Sequence, residues 1–262
     1  MFEFTRYYGR RRLKGSLALA VGLAVLTSLY VYMFPSISSS IDLDAYVESM
    51  PPALQAAFGT QSLGTIEGFL ATELYSFGIV LLMGLYLAYA AASVIADDVE
   101  DERMDMLLSL PVTRSKVLLE KFSALLVPIT VVNLALPVVV YAGVLAIGES
   151  VSIADLLMAH LLSVPYLLAT AGVGLLASVL FDRTSLAQRG AMGVVFGLFL
   201  VESVVTDTDF SALGAASPMR YYDPAAILVH SEYDFLGAAI LLVVALGLVA
   251  VSRAYFQRKD IT

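Results

Sequence analysis

Six stretches of this sequence are long, apolar and almost free of charge, and they constrain the fold more than any other feature. A helix advances about 1.5 Å per residue, so crossing a hydrocarbon core about 30 Å thick takes about 20 mostly apolar residues. Segments 15–34, 74–96, 119–147, 156–181, 190–206 and 235–252 meet or approach that length. Segment 190–206 is the weakest, because Glu202 lies inside it; with that segment only partly inserted, five spans would remain. The chain is 59% hydrophobic and only 15% charged. Soluble domains carry about 25% charged residues, so part of this chain's solvent is lipid. The expectation is an all-α integral membrane protein with six transmembrane helices, forming one domain over residues 1–262.

The cations give its orientation. Lys and Arg concentrate in short cytoplasmic loops. With both termini inside, the cytoplasmic side holds Arg6, Arg10, Arg11, Arg12, Lys14, Arg103, Arg114, Lys116, Lys121, Arg183, Arg189, Arg253, Arg258 and Lys259. Only Arg220 falls outside. Five spans would place Arg253, Arg258 and Lys259 outside, against the rule. The start "GRRRLKGSLALAVG" faintly resembles a twin-arginine signal. Its apolar run is too long for a signal peptide and no A-x-A site follows, so the first span reads as uncleaved.

The chain has no cysteine, which excludes disulfides and thiolate metal sites. Its net charge of −8, with Arg outnumbering Lys, fits a salt-loving source whose acidic exterior stays hydrated. No G-x-x-x-x-G-K-[ST] loop is present, so nothing here binds ATP.

Two outer excursions separate the spans. In "IDLDAYVESMPPALQAAFG", Leu43, Tyr46, Val47 and Met50 share a helical face that Pro51 and Pro52 interrupt. Such a short amphipathic helix lies on the membrane surface or packs as a lid on the spans. In the second excursion, Tyr221 and Tyr222 suit the headgroup level, each ring half-buried with a wet hydroxyl. "PAAILV" follows, too short to span, as a re-entrant or interfacial piece with proline in its first turn.

Between the second and third spans lies "VIADDVEDERMDMLLSLPVTRSKVLLEKF". Read as a helix, Asp97 to Leu110 has an acidic first turn, which suits the macrodipole, and then a stripe of Met104, Leu107 and Leu108. Pro111 ends it, and Thr113 or Ser115 caps the next helix. The product is a cytosolic amphipathic helix, pressed on its own spans or docked into a partner's groove.

The same stretch resembles the region after the second span of ABC-2 type permeases, the membrane subunits of ABC transporters. The resemblance rests on Ile95-Ala96, Glu100, the run Met104 to Arg114 containing "LLSLPVTR", and Glu120-Lys121. "SPMRYYDPAAIL" and "YFQRKDI" are similar to the family's stretch before the last span and to its ending. Many members carry Gly-Thr where this chain has Glu102-Arg103, a helix-compatible pair that questions the turn geometry. The resemblance implies an exporter in which two permeases, identical or homologous, bind two cytosolic ABC ATPases. ATP and Mg would then be held by the ATPase, with no cofactor on this chain. It implies coupling through Glu100, Glu102, Met104, Leu107, Leu108, Pro111 and Arg114, with the basic N-terminal stretch contributing. The rival readings are a scaffold or passive channel without ATP coupling, or an intramembrane hydrolase.

Ionisable residues inside membranes are costly, which makes them functional candidates. Glu73, His160 and Glu202 map to the outer leaflet, where they line an outer gate or snorkel to the interface. Asn133, between Pro128 and Pro137, lines a path or packs; Tyr221 and Tyr222 complete the candidate outer set. No H-E-x-x-H motif is present, and no catalytic or metal-binding residue is expected. Gly172, Gly174 and the Gly193-x-x-x-Gly197 pair permit close helix approach.

Overall fold

The computed structural model describes residues 3–40, 45, 63–104, 112–206 and 208–259, and the elements in them are helical throughout. The helices are α1 (Glu3–Ser40), α2 (Ile66–Glu100), α3 (Arg114–Ser123) and α4 (Leu126–Ala146), then α5 (Ile153–Leu180), α6 (Thr184–Val205), α7 (Pro224–His230) and α8 (Phe235–Arg258). Six stretches are long and apolar enough to cross a membrane, with α3 and α4 together forming the third. Each coincides with one of the six segments that hydropathy singles out, including the fifth, where Glu202 lies within the helix.

The centre of the bundle is α5, packed against α2, α6 and α8, while α1 lies along α4. Small residues create this arrangement. At Gly174 a Cβ would overlap the Ala88 carbonyl oxygen of α2, so only glycine permits the approach. Ala88, Ala92, Ala187 and Ala191 continue this close seam toward α6. Gly172 meets Leu248 of α8, where an added Cβ would sit 3.1 Å from two side-chain carbons. By contrast, a Cβ added at Gly193 or Gly197 would meet nothing within 4 Å among the described residues.

Two helices depart from simple expectation. The α1 helix continues through Pro35 to Ser40 rather than stopping at the Phe34-Pro35 step, and Ser40 Oγ donates to the Ser36 carbonyl at 2.6 Å. Within α2, Ala71–Met83 is a π-helix. Ser76 Oγ donates to the carbonyl of Ala71, five residues back, at 2.9 Å. Such wide turns are uncommon and concentrate at functional sites.

The acidic run also corrects the reading from sequence. Asp97, Asp98 and Glu100 do not open a new helix; they form the last turn of α2. There they oppose the macrodipole, and nearby cations offset the cost. Arg103 lies 3.3 Å from Asp97, 3.5 Å from Asp98 and 2.8 Å from Asp101. The turn follows at Glu102, whose φ of 55° is left-handed, and the chain is helical again at Arg103 and Met104, so of the Glu-Arg pair only Glu102 leaves the helix. Glu102 thus occupies a position whose backbone favours glycine. Met104 is buried. The rest of the apolar stripe, Leu107 and Leu108 with Pro111, lies outside the described residues, as does nearly all of the outer stretch 43–58.

Candidate functional site

Chemistry-bearing side chains gather at two levels of the bundle. At the level of the two chain ends, several helices are tied together around α3. Thr113 caps α3, its hydroxyl accepting from the Lys116 N–H at 3.3 Å. Ser115, the other candidate cap, instead accepts from Arg253 Nε at 2.9 Å and Gln257 Nε2 at 2.7 Å, binding α3 to α8. Arg114 donates to the carbonyls of Phe256 and Lys259 and lies over the Phe256 ring. It therefore closes the C-terminus of α8, where orphan carbonyls need donors.

Lys121 and Asp98 form a buried ion pair between α3 and the end of α2. Lys121 also donates to the Val94 carbonyl at 2.7 Å and lies 4.7 Å from the centre of the Tyr8 ring. Glu120 accepts from the Thr5 N–H at 3.3 Å, which adds α1 to the set. Glu100 accepts from the Thr184 N–H at 2.8 Å and caps α6, whose own N-cap residue, Arg183, supplies no side-chain bond. Of the coupling candidates, Glu100, Met104 and Arg114 are thus engaged within the chain, while the side chain of Glu102 is exposed.

The opposite level holds a buried polar chain. His160 on α5 lies between two partners: its Nε2 is 2.9 Å from the Tyr75 hydroxyl, and its Nδ1 is 3.0 Å from Asn133 Oδ1. Ser163 donates to the same Asn133 oxygen at 3.0 Å, and Asn133 Nδ2 donates to the Ile129 carbonyl at 2.9 Å. This network assigns a neutral imidazole with its proton on Nδ1, accepting from Tyr75. His160 does not snorkel; it is 3% exposed and its ring nitrogens are both occupied by protein.

The second excursion forms a cap over this chain. Asp223 caps α7 through the N–H groups of Ala225 and Ala226, with Pro224 in the first turn. Ala225, Ile227 and Leu228 are buried against α2 and α5. Tyr222 departs from expectation: it is 2% exposed, stacks on Tyr166, and donates to the Ala159 carbonyl at 2.9 Å. Its hydroxyl is dry because α7 seals it, and burial holds that hydroxyl well above the usual tyrosine pKa. Tyr221 remains half-buried and donates to Ala215 at 2.8 Å. Tyr233 donates to the Asp155 carboxylate, which raises its pKa, and Ser231 donates to the same group at 2.9 Å, fastening the cap to α5.

The three ionisable candidates do not converge. Glu202 is buried beside Arg220, 3.5 Å from its Nε, and Gly214 makes room for the carboxylate. Glu73 is half-buried on the π-helix and makes no hydrogen bond to His160 or Glu202. Among the described residues no three His, Asp or Glu side chains come together as a metal would require. His160 and Asn133 do meet. Tyr75, Ser163 and Asp98 were not singled out from sequence; Asp98 was hidden in an acidic run, and nothing local pairs Tyr75 with a histidine 85 residues away.

A family model for the ABC-2 family transporter protein matches residues 10–261. The chain belongs to the ABC-2 transporter family. No individual curated protein matches it. As an ABC-2 permease it is a multi-pass membrane subunit of an ABC transporter, and permeases of this family work with an ABC ATPase.

Proposed function

We propose that this ABC-2 permease is the membrane half of an ATP-driven exporter, with both termini in the cytoplasm. Two cytosolic ATPases, each holding ATP and Mg, bind a pair of permeases, identical or homologous. The segment from Glu100 to Arg114, which includes Leu107, Leu108 and Pro111, is their docking element. Substrate passes between the two permeases, and the cap carrying Tyr221 and Tyr222 closes the outer end. His160, Asn133, Glu73 and Glu202 belong to that outer gate.

One observation supports this reading most: the docking segment is flanked by residues that bind other helices. Asp98, at its start, pairs with Lys121, and Arg114, at its end, holds the terminus of α8. Glu100 caps α6, and Glu120 takes in α1. A displacement of the segment therefore reaches α1, α2, α3, α6 and α8 through bonded contacts. A rigid network of this kind can carry a push from a soluble motor to a bundle.

The test is co-purification followed by transport. The tagged chain is expected to retain a nucleotide-binding protein that hydrolyses ATP. Leu107→Asp is expected to release that protein while the permease still elutes as the folded species. A permease that binds no ATPase, or that conducts without ATP, would sink the proposal. Arg114→Glu is a poorer probe, because Arg114 also closes α8.

A further inference from the structure

The outward face of α1 changes chemistry once along its length. At 100° per residue, Arg6, Arg10 and Lys14 project from the same side as Leu17, Val21 and Val25. All six are exposed, whereas Ser16, Leu23 and Phe34 on the other side are buried. Arg6, Tyr7, Arg10 and Arg11 surround an open hollow of about 700 Å³. None of Arg6, Arg10, Arg11 and Lys14 is in an ion pair among the described residues. Apart from Glu3 at its first position, α1 contains no Asp or Glu.

Depth selects the occupant. The uncharged run starts at Gly15, so Arg11, Arg10 and Arg6 lie about 6 to 13 Å below it along the axis. That is headgroup depth, beneath a stripe that faces acyl chains. A soluble protein could meet the arginines but not Val21 and Val25. A second copy placed face to face would oppose these cations to themselves. A molecule with an anionic head and apolar tails matches the whole face at once. Guanidinium groups also hold phosphate through paired hydrogen bonds.

We propose that the outward face of α1 binds an anionic phospholipid. Arg6, Arg10 and Arg11 hold its phosphate, Tyr7 lies beside the headgroup, and Leu17, Val21 and Val25 take an acyl chain. The site needs neither ATP nor a partner ATPase, so it stands or falls apart from the exporter reading.

The chain contains no tryptophan, so a Leu17→Trp variant carries a unique fluorophore at an exposed position. This variant, in vesicles of phosphatidylcholine, is titrated with brominated phosphatidylglycerol or brominated phosphatidylcholine, and quenching gives their relative affinity. Phosphatidylglycerol is expected to win by at least about fivefold, the worth of one basic contact near a membrane. Adding Arg6→Gln, Arg10→Gln and Arg11→Gln should bring the ratio to about one. Raising the salt from about 0.05 to about 1 M should lower it on the unmutated arginines, a readout that does not depend on the triple variant folding. A ratio of one in the starting variant, or a ratio indifferent to salt, overturns the proposal. So does quenching by neither lipid, which would mean that protein covers the face, or loss of the preference when soluble glycerol phosphate is added.

Discussion

The Lys121 ammonium rests on the Asp98 carboxylate, and the two side chains are only 6% and 7% exposed. The pair joins the start of the third span to the end of the second, but its two members are not equally placed. Asp98 has a second cation, Arg103, at 3.5 Å, whereas Lys121 would retain only the Val94 carbonyl and the Tyr8 ring. Removing one partner of a buried pair costs about 3–5 kcal/mol, because a charge is left without compensation. Asp98→Asn is therefore expected to fall in that range and Lys121→Met below it. A Asp98→Leu/Lys121→Met double variant should be more stable than Asp98→Asn alone. Thermal unfolding of the purified variants in one detergent gives the ranking, and equal losses for the two single changes would contradict it.

The chain through His160 gives a second ranking. Asn133 accepts from both His160 Nδ1 and Ser163 Oγ, so Asn133→Leu orphans the buried imidazole N–H and leaves Ser163 with only the His160 carbonyl, at 2.8 Å. An orphaned buried donor costs about 1–3 kcal/mol. Tyr75→Phe leaves only the His160 Nε2 lone pair unmet, and Ser163→Ala leaves Asn133 still bonded to the imidazole. The expected order of destabilisation is Asn133→Leu, then Tyr75→Phe, then Ser163→Ala, read from melting temperatures at neutral pH. A larger loss for Ser163→Ala than for Asn133→Leu would mean that the histidine proton has been assigned to the wrong nitrogen.

The spans were legible because charge is so costly in lipid that absence of charge marks them directly. Thr113 as a cap and Pro224 in a first turn were legible too, since both depend on neighbours a few residues away. What hydropathy could not give was direction around each helix. It placed His160 and Glu202 at similar depth but could not tell that one meets Asn133 and the other Arg220. It also read Asp97 and Asp98 as the start of a helix. Acids favour a helix start, but here Ser178 takes the Ile95 and Ala96 N–H groups at 2.8 and 3.0 Å, and α2 carries on to Glu100. Tyr222 looked like an interfacial residue until α7 closed over it.

Glu102 is the point where a local rule is broken, and its repair is testable. A non-glycine residue in the left-handed region costs about 1–2 kcal/mol, and glycine's greater freedom in the unfolded chain returns part of that. Glu102→Gly is expected to stabilise the permease by about 0.5–1 kcal/mol, while Glu102→Val should destabilise it. The Glu102 side chain is exposed, so neither variant uncovers a buried group among the described residues. Matched melting curves decide it: a glycine variant less stable than the parent would mean that the carboxylate itself contributes.

Gly174 and Gly193 separate a glycine that packs from one that does not. At Gly174 an added Cβ would collide with the Ala88 carbonyl and sit 2.7 Å from the Ala91 Cβ, and backbone cannot swing aside as a flexible side chain can. Even Gly174→Ala must push α2 away from α5, opening the seam on which α6 also rests. Overpacking a tight core costs about 1–3 kcal/mol and more where backbone has to move. At Gly193 the same addition meets open space within this chain. Gly193→Ala gains helix propensity of about 1 kcal/mol if nothing else approaches. Gly174→Ala is therefore expected to lower the yield of monodisperse protein on size exclusion, and Gly193→Ala to leave the melting temperature of the isolated permease unchanged or raised. Should Gly193→Ala instead destabilise the protein in the membrane but not in dilute detergent, a neighbouring chain packs on α6 at that position, and its removal by dilution is what the two conditions distinguish.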